Sequence, residues 1–355
     1  MKRFALLLVL SLMIAGCNQA EETPKQVENQ AAQPDAAGKE ADLAATGIQP
    51  SASGSPGSSP SSAPEQQGEA VSFQVVGSPE NSVRPDQGNL QVSMQATVEE
   101  KDGYLVVKGT SNLLSGAKVS GNVDAEGYAM FGYSDTAEVD PDGSFQLFIK
   151  KPNLNQQVEL TVTFNPKMQI PELQQHYGEN GDKLQGDAVY QYQDDDKSIK
   201  KKVELKGYFH PRKDHPLKLA LEMPKWEKPA DYGSPEVWIK PELRKDERLI
   251  YVHATSNLLE GSQVTGGVEI PGYVTFGYSA TKYVNPDGSF DLSIPYPKDS
   301  KNMYVELVFK PREDAWQTVK ENYGEKGEKL AGKWVKTDSD GSKQIYLKLK
   351  LDTGE

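Results

Sequence analysis

Four stretches of this chain alternate apolar and polar side chains with a period of two, and each is written twice. Leu105, Val107 and Gly109 share one face, with Tyr104, Val106 and Lys108 on the other. The same pattern returns as Ile250, Val252 and Ala254 against Leu249, Tyr251 and His253. A second stretch sets Ala129, Phe131 and Tyr133 beside Val274, Phe276 and Tyr278. A third sets Phe145, Leu147 and Ile149 beside Phe290, Leu292 and Ile294. The fourth sets Val158, Leu160, Val162 and Phe164 beside Met303, Val305, Leu307 and Phe309. A period of two is the signature of a strand with one buried face, so these rows predict paired sheets and their cores. A closing strand carries Val203 and Leu205 in the first copy, and Ile345, Leu347 and Leu349 in the second.

The two copies are 145 residues apart. Thr110-Ser-Asn-Leu-Leu-Ser-Gly-Ala-Lys-Val-Ser-Gly121 returns as Thr255-Ser-Asn-Leu-Leu-Glu-Gly-Ser-Gln-Val-Thr-Gly266. Asp140-Pro-Asp-Gly143 and Asn285-Pro-Asp-Gly288 have turn chemistry, because Pro presets φ and Gly accepts φ > 0. They are expected to join adjacent antiparallel strands. Calcium loops also use Asp and Gly, but they need six to eight oxygens, and only Asp142 and Asp287 hold their place in both turns. Each copy then carries a short helical insert, Pro171 to Tyr177 and Asp314 to Tyr323. Each insert is followed by a glycine, Gly178 or Gly324, where a helix C-terminus favours one.

Tandem copies of a strand-and-turn pattern predict a mainly β chain of two β-sandwich modules. The expected organisation is a leader at 1–16, a linker at 17–85, module 1 at 86–207, a Pro-rich linker at 208–236 and module 2 at 237–355. The Thr-Ser-Asn-Leu-Leu-x-Gly phrase resembles a strand-and-turn signature of bacterial immunoglobulin-like surface modules. Leu114 and Leu259 stand where that signature often has proline. The resemblance implies an immunoglobulin-like sandwich exposed at a cell surface.

The first residues alter the picture from fold to location. Met1-Lys-Arg3 is positive, and Phe4 to Ala15 is mostly apolar but shorter than the ~20 residues of a spanning helix. Ile14-Ala-Gly-Cys17 resembles the lipobox of bacterial lipoproteins. That resemblance implies diacylglyceryl attachment at Cys17, cleavage before it and acylation, for example by palmitate, of the new terminus. Cys17 is also the single cysteine, so no internal disulfide can form. Two or more acyl chains hold a protein stably on a membrane. The expected location is therefore the extracytoplasmic face of the cell membrane. From Asn18 to Pro85 the chain is rich in Ala, Gln, Pro, Ser and Gly, with few large apolar groups. It is expected to be a disordered tether with an average span of about 45–50 Å.

The net charge is −12, and two units more negative without Lys2 and Arg3. That balance argues against nucleic acid as a partner and against electrostatic adhesion to lipid.

Candidate chemistry is sparse. There are four histidines, and none recurs in the other copy: His176 aligns with Asn322 and His253 with Lys108. His210 and His215 form the best metal pair, with Asp214 between them, but zinc would need further ligands from elsewhere. Tyr128, Tyr273, Trp316 and Trp334 are candidate ligand-binding aromatics, of the kind that stack on sugars. No catalytic set, and no motif calling for a cofactor, is visible. The expected role is a non-enzymatic surface binding or scaffolding protein, with a cell-wall or protein partner. The alternatives are a wall-directed hydrolase or inhibitor acting through a loop of one module, or a structural spacer.

Overall fold

The computed structural model describes residues 83–297 and 302–351. The leader, Cys17 and almost all of the expected tether lie outside the described residues. Module 1 begins with β1 (Met94–Lys101), β2 (Tyr104–Ser111), β3 (Lys118–Asp124), β4 (Ser134–Glu138), β5 (Ser144–Lys150) and β6 (Val158–Phe164). It continues through the helix α1 (Pro171–Tyr177) to β7 (Val189–Gln193), β8 (Ile199–Phe209) and β9 (Lys218–Leu221). Module 2 repeats the plan. It comprises β10 (Ile239–Lys245), β11 (Leu249–Ser256), β12 (Gln263–Glu269), β13 (Ser279–Tyr283), β14 (Phe290–Pro295) and β15 (Tyr304–Phe309), then α2 (Gln317–Tyr323), β16 (Val335–Thr337) and β17 (Lys343–Lys350).

Every ladder between strands is antiparallel. In module 1 one sheet runs β5-β2-β1-β9 and the other β4-β3-β6-β8-β7. Module 2 has β14-β11-β10 against β13-β12-β15-β17-β16. This is an immunoglobulin-like sandwich order, with the helix and one extra strand inserted before the last long strand. The alternating rows on β2, β5, β6 and β8 point inward as expected. Leu105, Val107, Leu147, Ile149, Leu160, Val162 and Leu205 are fully buried, and so are Ile250, Ile294, Val305 and Leu307 in module 2.

The repeated phrase is a clamp. Asn112 is buried at the end of β2. Its side-chain oxygen accepts the Ser93 N–H at 2.8 Å, and its amide donates to the Gln91 carbonyl at 2.8 Å. Asn257 does the same with the Trp238 N–H and the Glu236 carbonyl, both at 3.0 Å. Each Asn therefore fixes the segment that enters the first strand. Two residues on, the Leu114 N–H donates to the Tyr177 hydroxyl at 2.8 Å, and that of Leu259 to Tyr323 at 3.1 Å. This bond docks the helical insert on the sandwich. Glycine ends the phrase because the sheets meet there. A Cβ on Gly121 would lie 2.6 Å from Ile149 Cδ1, and one on Gly266 would lie 2.7 Å from Ile294 Cδ1.

Several expectations need correction. Ala129 to Tyr133 and Val274 to Tyr278 are not strands but loops between β3 and β4 and between β12 and β13. The Pro-Asp-Gly turns form, with Gly143 N–H on the Asp140 carbonyl at 2.9 Å. They carry the chain from one sheet to the other, however, because β4 and β5 belong to different layers. Asp142 accepts the Ser144 N–H at 2.9 Å and Asp287 that of Ser289 at 2.9 Å, so these carboxylates brace the turns. The first strands, β1 and β10, escape the sequence reading altogether.

The segment 208–236 is only partly a linker. β8 runs through Phe209, and β9 adds to the edge of β1 with Ala96 opposite Leu221. Its leucines reach β8, where a Cβ on Gly207 would lie 2.4 Å from Leu221 and 2.9 Å from Leu219. Gly207 faces Leu160, and Leu349 faces the equivalent Val305. Module 2 therefore fills with its own Leu349 the space that module 1 leaves for β9. The repeat also reaches back to Asp86/Asp231 and Gly88/Gly233, of which Asp231 and Gly233 lie inside the expected linker. Both glycines have positive φ and donate to the following clamp Asn carbonyl at 2.6 Å.

Candidate functional site

The loops between β3 and β4 and between β12 and β13 are the features that both modules share without an evident folding role. Their bases are closed by Val123 N–H to Tyr133 O at 3.0 Å and Val268 N–H to Tyr278 O at 2.9 Å. Tyr133 and Tyr278 pack against the two cores. Phe131 and Phe276 point the other way and are 87% and 83% exposed. Gly132 and Gly277, both at φ 77, stand between each Phe and Tyr. That left-handed glycine breaks the alternation of faces, so a pattern resembling a strand becomes a protruding tip. In module 2 Tyr273 and Val274 are also open, at 76% and 80% exposure. Turns at the tips tie Tyr128 N–H to Ala125 O and Tyr273 N–H to Ile270 O.

The aromatics singled out from sequence separate into different roles. Tyr128 is 38% exposed, with the Arg248 guanidinium 5.2 Å from its ring centre. Tyr273, its counterpart, is open. Trp316 is not a surface platform. It is buried at the start of α2, with its indole against Gly261 and 5.7 Å from the Tyr283 ring. Trp334 packs half-buried on the module 2 core, with Lys333 4.6 Å from its ring centre.

The histidines serve separate contacts. His215 Nδ1 lies 3.0 Å from Glu100, a carboxylate that also pairs with Lys151 at 2.6 Å. The His210 backbone N–H donates to Asp214 at 2.6 Å, and burial, with Lys213 nearby, holds its imidazole below the usual value. Among the described residues no group of three or more His, Cys, Asp or Glu is placed to hold a metal. The His210 and His215 pair therefore gains no further ligands there. His176 meets the Gly88 carbonyl at 2.6 Å, and Asn322 meets that of Gly233 at the same distance. Those two unlike residues do one structural job. His253 lies 2.8 Å from Asp291.

A second region lies between the modules. The outer face of β6, β7 and β8 faces that of β11 and β14. Glu260 receives two hydrogen bonds from Gln191, the Tyr251 hydroxyl accepts the Gln157 N–H at 3.2 Å, and Lys282 lies 3.8 Å from Glu159. Two cavities of about 250 and 260 Å³ share Gln157, Tyr208, Asp291 and Ser293. Burial raises the Glu126 carboxyl pKa at the rim, with Lys282 opposing. Burial also raises the Tyr208 phenol, reinforced by Glu159 and Asp291.

The copies differ where they touch. Glu260, Tyr251, Lys282, Asp291 and Arg248 replace Ser115, Val106, Ala137, Gln146 and Gly103 of module 1. Sequence comparison of the copies shows these differences, but only the packed modules reveal their common purpose. Compared with protein-family models, curated proteins and solved structures, the chain matches none of them.

Proposed function

We propose that this chain is an extracytoplasmic lipoprotein, anchored through Cys17, whose two β-sandwich modules act as a non-enzymatic surface binding or scaffolding unit. The observation that supports this reading is the pair of exposed loop tips around Phe131 and Phe276. An exposed phenylalanine gains nothing for the fold, yet both modules keep one at the same place. The polar residues with chemical potential are engaged in the architecture: Asn112 and Asn257 in clamps, and His176 on a loop carbonyl. The resemblance of Ile14-Ala-Gly-Cys17 to a lipobox supports the location.

The location is tested by fractionating cells that express Cys17→Ala. Release of the protein from membranes is expected, and continued attachment overturns the lipid anchor. The binding role is tested by crosslinking on intact cells with a photoreactive residue at Phe276. Turnover of a cell-wall or peptide substrate by the purified chain, abolished by one substitution, would replace this reading with a hydrolytic one.

A further inference from the structure

We propose that the tips around Phe131 and Phe276 enter the interfacial layer of a lipid bilayer, and that the partner of these loops is the membrane surface itself. The inference rests on the binding role proposed above and names its occupant.

Its first support is chemical. From Ile270 to Thr281 no residue is charged, in a chain of which 25% is charged. A bilayer excludes charges and accepts aromatic and aliphatic side chains at its interface. Tyr273, Val274 and Phe276 supply these at one tip. The second support is hydrogen bonding. Thr275 donates its hydroxyl to the Val268 carbonyl at 2.8 Å, and the Tyr273 N–H is satisfied by Ile270. The tip therefore takes part of its polar inventory with it, as insertion requires. A sugar site would instead need polar side chains directed at hydroxyl groups beside the ring. Between Gly272 and Gly277 only the Tyr273 hydroxyl and the Thr275 hydroxyl qualify, and the latter is already committed.

The third support is duplication. The Gly-Tyr-x-x-Phe-Gly-Tyr spacing recurs in both modules. In module 1, however, Glu126 precedes it and Tyr128 rests near Arg248, so Phe131 is the apolar contact there, while Tyr273, Val274 and Phe276 act together in module 2. A protein partner would have to offer two matching pockets, whereas a membrane offers the same medium to every tip. Location adds to this. Sixty-five residues separate Cys17 from Val83, the first described residue, and a coil of that length would average roughly 45 Å end to end, close enough for the modules to meet the surface that anchors them. The acidic balance sets the lipid preference. A chain of net charge −12 is repelled by anionic headgroups, so a zwitterionic surface is the better substrate.

The test uses the chain from Asn18 onward, which lacks both lipid and leader and contains every described residue. It is floated with phosphatidylcholine vesicles at 0.15 M and 1 M salt. Association that survives high salt is expected, because apolar insertion is not screened. Phe276→Ser and Phe131→Ser should each weaken partitioning by roughly tenfold, the effect of losing one buried aromatic side chain. Unchanged urea midpoints in both variants will show that the fold is intact. Phe276→Trp should retain binding and shift its fluorescence to the blue on vesicles. Absence of flotation overturns the proposal, as does flotation indifferent to both serine variants. Binding restricted to anionic vesicles and lost in high salt overturns it too. Recovery of a protein crosslinked at residue 276, with no vesicle binding, assigns the tips to a protein pocket instead. Because the lipid-free chain is used, failure here leaves the Cys17 anchor standing. The Cys17→Ala fractionation decides that question separately.

Discussion

Glu260 accepts both the backbone N–H of Gln191 at 2.9 Å and its side-chain amide at 2.5 Å, tying a turn of module 2 to the edge strand β7 of module 1. The equivalent turn of module 1 has Ser115, which is too short to make such a bridge. The Glu260 backbone N–H is itself held by the Tyr232 hydroxyl at 2.8 Å, so the carboxylate projects from a fixed turn.

Glu260→Ser should therefore loosen the modules without unfolding either. The bridge is exposed, so the coupling expected from a double-mutant cycle with Gln191→Ala is about 1 kcal/mol or less. Small-angle scattering should show a broader distribution of inter-module distances. An unchanged distribution would mean that the Tyr251 and Lys282 contacts suffice.

Asn112→Ala and Asn257→Ala each strand a backbone N–H and a carbonyl. A buried group left without its partner costs about 1–3 kcal/mol. The urea midpoint should fall in both variants, with the loss confined to the module carrying the substitution. Leucine at either position should do no better, because hydrogen bonding rather than volume is what Asn supplies.

Gly121→Ala should destabilise module 1 by about 1–3 kcal/mol through overpacking against Ile149. Ile149→Val removes the clashing Cδ1 and should recover part of that loss. A double-mutant cycle by chemical denaturation measures the recovery, and strict additivity would show that the sheets yield elsewhere.

Burial raises the Tyr177 and Tyr323 phenols to about 12, against the ordinary value of about 10. Their folded-state values lie above the unfolded ones. Their contribution to stability is thus complete below about pH 10 and is lost as pH rises through about 12. Tyrosinate absorbance should show these two phenols titrating together with alkaline unfolding, after the exposed tyrosines. Titration of all tyrosines near pH 10 in a still-folded chain would contradict their placement.

How much of this was legible before folding depends on where each signal resides. Alternation over β2, β5, β6 and β8 reads directly, because each strand buries one face and period two survives any packing. The loops at Phe131 and Phe276 defeat the same rule. Each has the apolar spacing of a strand, and only Gly132 or Gly277 at positive φ reverses the face. The β1 strand reads poorly because Glu99, Glu100 and Lys101 follow its short apolar row. The β9 strand lies among prolines, and its packing partner is an absence, the missing side chain of Gly207. Trp316 looked like a surface candidate, but its burial follows from Gly261, which sits 55 residues earlier in the chain and gives no local sign of the indole it receives.

The sequence by itself determined the duplicated sandwich, its inward rows, its turns and the short helices, since these depend on local periodicity and on comparison between copies. The resemblance of Ile14-Ala-Gly-Cys17 to a lipobox is a reading of the sequence alone and lies outside the described residues. Tertiary structure alone decided which turn crosses between layers, that His176 and Asn322 perform one task, and that Glu260, Tyr251 and Lys282 diverged to join the modules. It also turned two predicted core phenylalanines outward. The physical reason is common to all of these: each depends on atoms brought together from distant positions, and no periodicity records distances between residues that are neighbours only after folding.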